Sequence, residues 1–287
     1  MRKSDAGWVA LALVNHLGGK KLLALNSLFD GNLQAILSAD EAGLRRVHGI
    51  GPKIAASIGE IQGAPLDRLK RQLELWQGAG IHYAIIGESE YPAHMMRLPD
   101  PPAILFWRGI EDAIPSVNTP SIAIVGTRSP TPKVTEATER IAYELACAGV
   151  IVVSGLALGI DTAAHRGALA AGGRTLAVLG GGILNIYPPE NQALAEQLIR
   201  CGALTSEVSP VASARTPALV ARNRLITAFS SSLFVAETTA DGGAMHAAKR
   251  ALTANIPLFT FDLPATGNQA LIQQGAQRLP LDSLFPV

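Results

Sequence analysis

Charge is scarce in this chain. Asp, Glu, Lys and Arg make up 16% of its 287 residues, and the formal net charge is +1. A protein that coats a long duplex carries a broad basic face. Any nucleic-acid site here has to be local, built from a few phosphate contacts. Aromatic residues amount to 5%, which argues against a wide base-stacking platform. The two cysteines, Cys147 and Cys201, have no partner at metal-ligand spacing. So few thiols in a chain this long point to a reducing compartment and to core positions for both. No apolar run reaches transmembrane length. The run from Trp8 to Val14, behind the basic Met1-Arg2-Lys3, is too short for a signal core and has no cleavage pattern after it. These absences describe a soluble cytoplasmic protein without a membrane partner.

Familiar chemical signatures are missing too. The first buried strand is not followed by Gly-x-Gly-x-x-Gly, and Leu179-Gly-Gly-Gly182 lacks the spaced third glycine. An ordinary nicotinamide enzyme is therefore not expected, and the Walker pattern is also absent. No Ser-His-Asp set, metal cluster or carboxylate pair stands out. His165 reads as a packing or hydrogen-bonding group rather than a base. The expectation is no catalytic set, no metal and no cofactor.

What is present is hydrophobic, 48% of the residues, enough for a sizeable core. The length suggests two domains. Residues 1–78 read as a helical domain, rich in Leu and Ala and punctuated by Gly18-Gly19, Asp30-Gly31 and Gly63-Ala-Pro65. Residues 79–118 are rich in proline and aromatics, with short strands at His82–Ile86 and Ile104–Trp107. They are assigned here to a second domain, 79–287. From about 120 the pattern alternates. Strands are predicted at 122–125, 151–154, 175–179, 203–207, 233–237 and 256–261. Helices are predicted near 132–148, 162–172, 190–201, 218–230 and 243–254. The strands are unalternating apolar runs, as in a parallel sheet covered on both faces. The fold class is α/β, an extended Rossmann-like doubly wound sheet.

Ligands in such sheets bind at the carboxyl ends of the strands, and four glycine-bearing loops fall there. The first is Gly126-Thr127-Arg128, where a helix N-terminus and a guanidinium together make a seat for phosphate. The second runs from Ser154 and Gly155 through Gly159 to Asp161, the expected N-cap of the next helix. The third is Gly180-Gly181-Gly182, and the fourth is Asp241-Gly242-Gly243. Glycine lets backbone N–H groups approach a ligand closely. Arg222-Asn223-Arg224 opens an apolar helix, where both arginines can reach a ligand or the Asn can cap a solvated start. Glu207 and Glu237 end apolar strands, at the rim of the crevice or capping loop N–H groups.

The helical domain has one sharp motif, from Leu44 through Val47-His-Gly49-Ile-Gly51-Pro-Lys53 to Ile58. Two short helices joined by Gly-Ile-Gly form a helix-hairpin-helix, the core of a SAM-like domain. Gly49, Gly51 and Lys53 can hold a DNA phosphate at the second helix. Leu44, Val47, Ile50, Ala55 and Ile58 fit the inside of a packed hairpin. Such hairpins also serve as protein-contact modules.

These motifs together resemble the DprA/Smf family of DNA-processing proteins over nearly the whole chain. The likeness rests on Ala123–Arg128, Val153–Ala168, Leu176–Gly182 with Tyr187-Pro-Pro-Glu-Asn191, Arg222–Ile226 and Gly267–Ala276. It implies a single-stranded DNA-binding protein that protects incoming DNA and loads the RecA recombinase during natural transformation and recombination. It also implies a homodimer formed through the Rossmann domain, with no catalytic turnover. Arg128 falls at the family's phosphate-contacting arginine, and Gly155, Arg222 and Asn223 fall at its pocket residues. The chain departs from the pattern at Pro217–Ala221, at Asp241-Gly-Gly243 and at Asp262, and it stops at Val287 without the winged helix many members add.

Two further readings use the same crevice. One is a sensor that binds a small nucleotide there and a partner at the hairpin. The other is an enzyme similar to the cytokinin-activating phosphoribohydrolases, whose signature is Pro-Gly-Gly-x-Gly-Thr-x-x-Glu. Aligned on the glycine pair, this chain has Asp241 for the proline, Met245 for the third glycine and Lys249 for the catalytic acid.

Overall fold

Helices, two of them capped by side chains, fill the first part of the chain. The computed structural model describes residues 6–285, so the basic start at Met1–Lys3 lies outside the described residues. The chain divides into two units, residues 1–106 with 207–209 and residues 107–206 with 210–287. In the first unit, α1 (Ala6–Ala12), α2 (Gly18–Leu28), α3 (Leu33–Ser38), α4 (Glu41–Leu44), α5 (Pro52–Gly59) and α6 (Ala64–Gly78) follow one another. Asn32 caps α3 by accepting the Ala35 N–H at 3.0 Å, and Asp40 caps α4 by accepting the Gly43 N–H at 2.8 Å. The hairpin pattern holds: Leu44, Val47, Ile50, Ala55 and Ile58 are all buried.

The helices end at Gly78, where the sequence places a boundary, but the unit continues to Phe106. The proline-rich segment stays with the helices because it packs on them. The Gly19 N–H donates to Pro101 O at 3.0 Å, and Tyr91 Oη donates to Pro102 O at 2.8 Å. The rings of Trp76 and Phe106 meet edge to face at 5.8 Å. A Cβ at Gly19 would collide with Ile86 and the Pro101 carbonyl, so the α2 backbone lies directly against this segment. Strand β1 (Ile81–Ile85) belongs here, and the division between the units falls inside β2 (Ile104–Gly109).

The second unit alternates strand and helix. In order it contains β3 (Ser121–Val125), α7 (Pro132–Cys147), β4 (Ile151–Ser154), α8 (Ile160–Ala170), β5 (Thr175–Val178), α9 (Gln192–Cys201) and β6 (Ala203–Ser206). There follow α10 (Thr216–Ala221), α11 (Asn223–Ala228), β7 (Ser232–Val235), α12 (Ala244–Thr253), β8 (Leu258–Phe261), α13 (Thr266–Gln273) and β9 (Gln277–Leu279). Its strands lie side by side as β6-β5-β4-β3-β7-β8-β9, and every one of these pairings is parallel. Residues 121–125 are buried throughout, which explains their unbroken apolar run. Ile122, Ile124, Val152 and Phe234 meet Val134, Ile141 and Leu145 of α7 in one hydrophobic core.

The chain leaves β3 outward through β4, β5 and β6, then returns to place β7 on the other side of β3. The direction of winding reverses between β3 and β7. In an open parallel sheet that reversal opens a crevice at the strand ends.

Four expectations change. The helix predicted over 218–230 is two helices broken at Arg222. Helix α13 and strand β9 were not predicted as elements. Cys147 and Cys201, expected in the core, are exposed, because each is the last residue of its helix. Gly159 rather than Asp161 is the N-cap of α8.

Candidate nucleic-acid interface

A cleft of about 370 Å³ occupies the crevice between the carboxyl ends of β3 and β7. Gly126, Thr127 and Arg128 line one wall, Asn223 lies on another, and Gly242 and Gly243 close it. A smaller recess of about 180 Å³ adjoins it, lined by Leu158, Pro189 and Glu190 among others. Arg128, Ala157, Tyr187, Leu219 and Arg222 line both.

Arg128 is exposed, and among the described residues its guanidinium makes no hydrogen bond or ion pair. It is a free cation on a rigid loop, because the flanking backbone is tied down. The Thr127 N–H donates to Glu237 O at 2.7 Å, and the Ile160 N–H donates to Thr127 O at 3.2 Å.

The loop that leads into the next helix is held by a carboxylate of the protein. Glu237 Oε2 accepts the Thr131 N–H at 3.1 Å, just ahead of α7. Glu237 thus takes the capping role open to it in the sequence.

The second loop is also turned inward. Asp161 Oδ2 accepts the Gly155 N–H at 3.1 Å and the Ala157 N–H at 3.2 Å. The Ser154 hydroxyl is fully buried and donates to Ile124 O at 2.6 Å. Expected as ligand contacts, Ser154 and the Gly155 amide are instead consumed within the fold.

Arg222 changes role for the same reason. Its guanidinium donates to the carbonyl oxygens of Gly155 and Val178, and Nη2 lies 4.0 Å from Asp161 Oδ2. Its Nε donates to Asn223 Oδ1 at 3.0 Å. Burial opposes the charge on both partners, pushing the Asp161 carboxyl above its ordinary range and the Arg222 guanidinium below its own. Each charge is the other's compensation, and the nearby Arg128 pushes Arg222 further down. Expected as a phosphate contact, Arg222 binds loop ends of β4 and β5 together. Arg224 is buried as well, with Nη1 reaching Ala221 O at 3.5 Å.

Most of the glycines serve close packing between loops. A Cβ on Gly126 would strike Ile160 and Glu237 O, one on Gly159 would strike Thr127 O and Arg128, and one on Gly155 would lie on the Arg222 guanidinium. Gly180 and Gly181 are pressed against Leu219 and Ala214, and Gly242 against Thr238. Gly243 alone among them faces open space, and its carbonyl accepts from Asn223 Nδ2 at 3.5 Å. Part of the expected seat of free amides is therefore spent inside the protein, since the Thr127, Gly155, Gly182 and Gly242 N–H groups are all paired. Leu219 and Tyr187 were not singled out in the sequence as site residues, although Tyr187 stood within a motif.

His165 is fully buried on α8. Thr175 Oγ1 gives its one proton to Val152 O at 2.7 Å, so it must accept from His165 Nδ1 at 2.8 Å. This fixes the tautomer and leaves Nε2 as a buried acceptor without a partner. Burial first, and the charge of Arg222 second, lower its pKa to about 3. It is a neutral structural group, as the sequence suggested.

In the hairpin, Gly51 is the N-cap of α5 with Pro52 after it, and Lys53 is exposed. Gly49 has φ +81°, and a Cβ there would meet the Lys21 side chain. This turn is where glycine's left-handed freedom is required.

The sequence profile of the family described as DNA recombination-mediator protein A matches residues 82–283. The chain belongs to this family. A relative, the DNA processing protein DprA of Bacillus subtilis, is 34% identical over 232 residues, covering 79% of this chain and 77% of its own. Among solved structures, DNA processing protein A of Streptococcus pneumoniae superposes with a TM-score of 0.80 at 25% identity, covering 96% of this chain and 94% of that one. A structure of the Helicobacter pylori protein, whose subject is its single-stranded DNA binding mode, gives a TM-score of 0.62 at 30% identity, covering 69% of this chain and 90% of that one. The cleft lies wholly within the family-matched span, and the hairpin of residues 44–58 lies outside it. No helix among the described residues is long and apolar enough to cross a membrane.

Proposed function

We propose that the β3–β7 crevice binds the sugar-phosphate backbone of single-stranded DNA, and that the chain works in DNA processing during recombination. The single observation that carries this is Arg128: an unpaired guanidinium on a fixed loop at the topological switch point. A fork of donors without a protein acceptor suits a phosphate. Thr127, Asn223 and the open backbone at Gly243 lie along the same cleft and supply further polar contacts. Arg222 acts behind them, holding the loops and adding positive potential. Gly49, Gly51 and Lys53 of the hairpin form a second phosphate contact. Family membership and the two solved relatives support the same reading. In it the chain is a cytoplasmic binding protein rather than an enzyme. It protects incoming strands, loads the RecA recombinase onto them and acts as a homodimer.

The test is a binding titration with a single strand of about 20 nucleotides, the matching duplex and mononucleotides, at several salt concentrations. The expected order is single strand above duplex, with affinity falling as salt rises by a slope of about 0.7 per phosphate contact. Tight mononucleotide binding without preference for the oligonucleotide would overturn the reading in favour of a small-molecule sensor. Release of free base from a mononucleotide would overturn it in favour of an enzyme.

A further inference from the structure

We propose that Tyr187 is a base-stacking residue, its ring covering one nucleobase while Arg128 holds an adjacent phosphate of the same strand. This rests on the crevice binding single-stranded DNA, and it adds a contact that reads the base rather than the backbone.

Tyr187 is 45% exposed although it lines both lobes of the cleft together with Arg128. Its hydroxyl has no hydrogen-bond partner, and its ring stacks on no other aromatic among the described residues. A buried tyrosine serving the core normally does one or both. Around it the recess has the apolar side chains of Pro188, Pro189, Leu219 and the 38%-exposed Leu158, beside the charged Arg128, Glu190 and Arg222. An aromatic face left wet beside an apolar floor is a place where a flat, weakly polar group displaces water favourably.

The ring is also held on a fixed segment. Two prolines follow it, each with its φ locked. Asn191, buried at the end of this turn, donates from Nδ2 to Leu156 O and to Thr162 Oγ1, both at 2.9 Å. The Tyr187 turn is thereby tied to the loop after β4, so little ordering is needed when a base arrives.

Charge gives the nucleotide a direction. Glu190 lines the smaller recess and Arg128 both lobes, while Arg222, which also lines both, has its charge matched by the buried Asp161. A phosphate is repelled by the carboxylate and drawn to the guanidinium. The backbone therefore runs on the Arg128 side, and the base enters the recess toward Tyr187.

The experiment uses the full chain with two labelled strands of about 20 nucleotides, oligothymidylate and an abasic strand of the same length. It compares Tyr187→Ala, Tyr187→Phe and Arg128→Ala with the parent by fluorescence anisotropy over a range of salt. Stacking on an aromatic side chain contributes about five- to 150-fold in affinity per base. The expected result is that Tyr187→Ala loses at least fivefold on oligothymidylate with its salt slope unchanged. Tyr187→Phe keeps the affinity, and the abasic strand does not distinguish the three Tyr187 forms. Parent-like binding by Tyr187→Ala, with Arg128→Ala weakened, overturns the stacking role and leaves the phosphate reading standing. If Arg128→Ala is also parent-like, both fail.

Discussion

Arg222 and Asp161 form a buried pair at the floor of the cleft, Nη2 to Oδ2 at 4.0 Å, with each side chain 7% exposed. The distance is long for a salt bridge because neither group depends on the other alone. Asp161 also takes two loop N–H groups, and Arg222 two carbonyls. A pair of this kind is costly to break from one side, because the remaining charge stays buried without compensation. Arg222→Met is expected to destabilise the protein by about 3–5 kcal/mol. Adding Asp161→Asn removes the stranded charge while keeping one acceptor for the loop, so the double variant should be more stable than Arg222→Met alone. Urea unfolding midpoints measure this, and strictly additive losses would show the pair to be uncoupled.

Gly155 is the position where the same network is most sensitive to size. Its carbonyl accepts from Arg222, and a methyl group on its Cα would occupy the space of the guanidinium. Gly155→Ala therefore has to expel the Arg222 side chain, leaving Asp161 and the Val178 carbonyl without it. We expect a loss of about 3 kcal/mol or more. Gly243→Ala is the control. Its backbone is right-handed, with open space around it, and it should stay within about 1 kcal/mol of the parent in thermal unfolding. Equal losses at the two positions would contradict the packing described here.

The sheet was legible because its strands bury both faces. The runs at 122–125 and 151–154 have no polar alternation to confuse them with surface strands. Strand β9 was not, because two of its three residues, Gln277 and Arg278, are exposed at the sheet edge and carry no apolar signal. Arg128 was legible as well, since a glycine turn after a buried strand is a local pattern. What happens to the neighbouring amides is not local. The acceptor for Thr127 comes from residue 237, and the carbonyls that hold Arg222 come from residues 155 and 178. An arginine beside a helix start reads the same in sequence whether it faces solvent or closes three loops. The glycines misled for a related reason: glycine is required equally for approach to a ligand and for approach to another loop.

Arg128 differs from Arg222 in having nothing to lose in the free protein. Arg128→Ala should leave stability within about 0.5 kcal/mol of the parent. Its affinity for single-stranded DNA should fall, and the dependence of log affinity on log salt should become shallower by about 0.7, the share of one phosphate. Measuring both quantities separates a ligand contact from a structural one. Parent affinity at moderate salt, in a variant that melts normally, would remove Arg128 from the site.

His165 makes a prediction in pH. In the unfolded chain its imidazole titrates near 6.5, whereas in the fold burial and Arg222 hold the pKa at about 3. Between those values the unfolded state binds the extra proton, so unfolding is favoured as pH falls. The contribution is complete above pH 6.5 and is withdrawn progressively toward pH 3. For this group alone it amounts to about 3 kcal/mol between pH 7 and pH 4. His94, lowered to about 4 by burial and then by Arg97, acts in the same direction. Carboxylates titrate over the lower part of the same range, so the assignment needs a variant. His165→Gln offers a side-chain amide to Thr175 but cannot take up a proton. It should be less stable than the parent at pH 7, since the replacement packs less well in a fully buried site. Its stability should fall less steeply between pH 7 and pH 4. Parallel curves for parent and variant across that window would mean that His165 stays neutral in the unfolded chain or is protonated in the fold, and would refute the buried neutral imidazole.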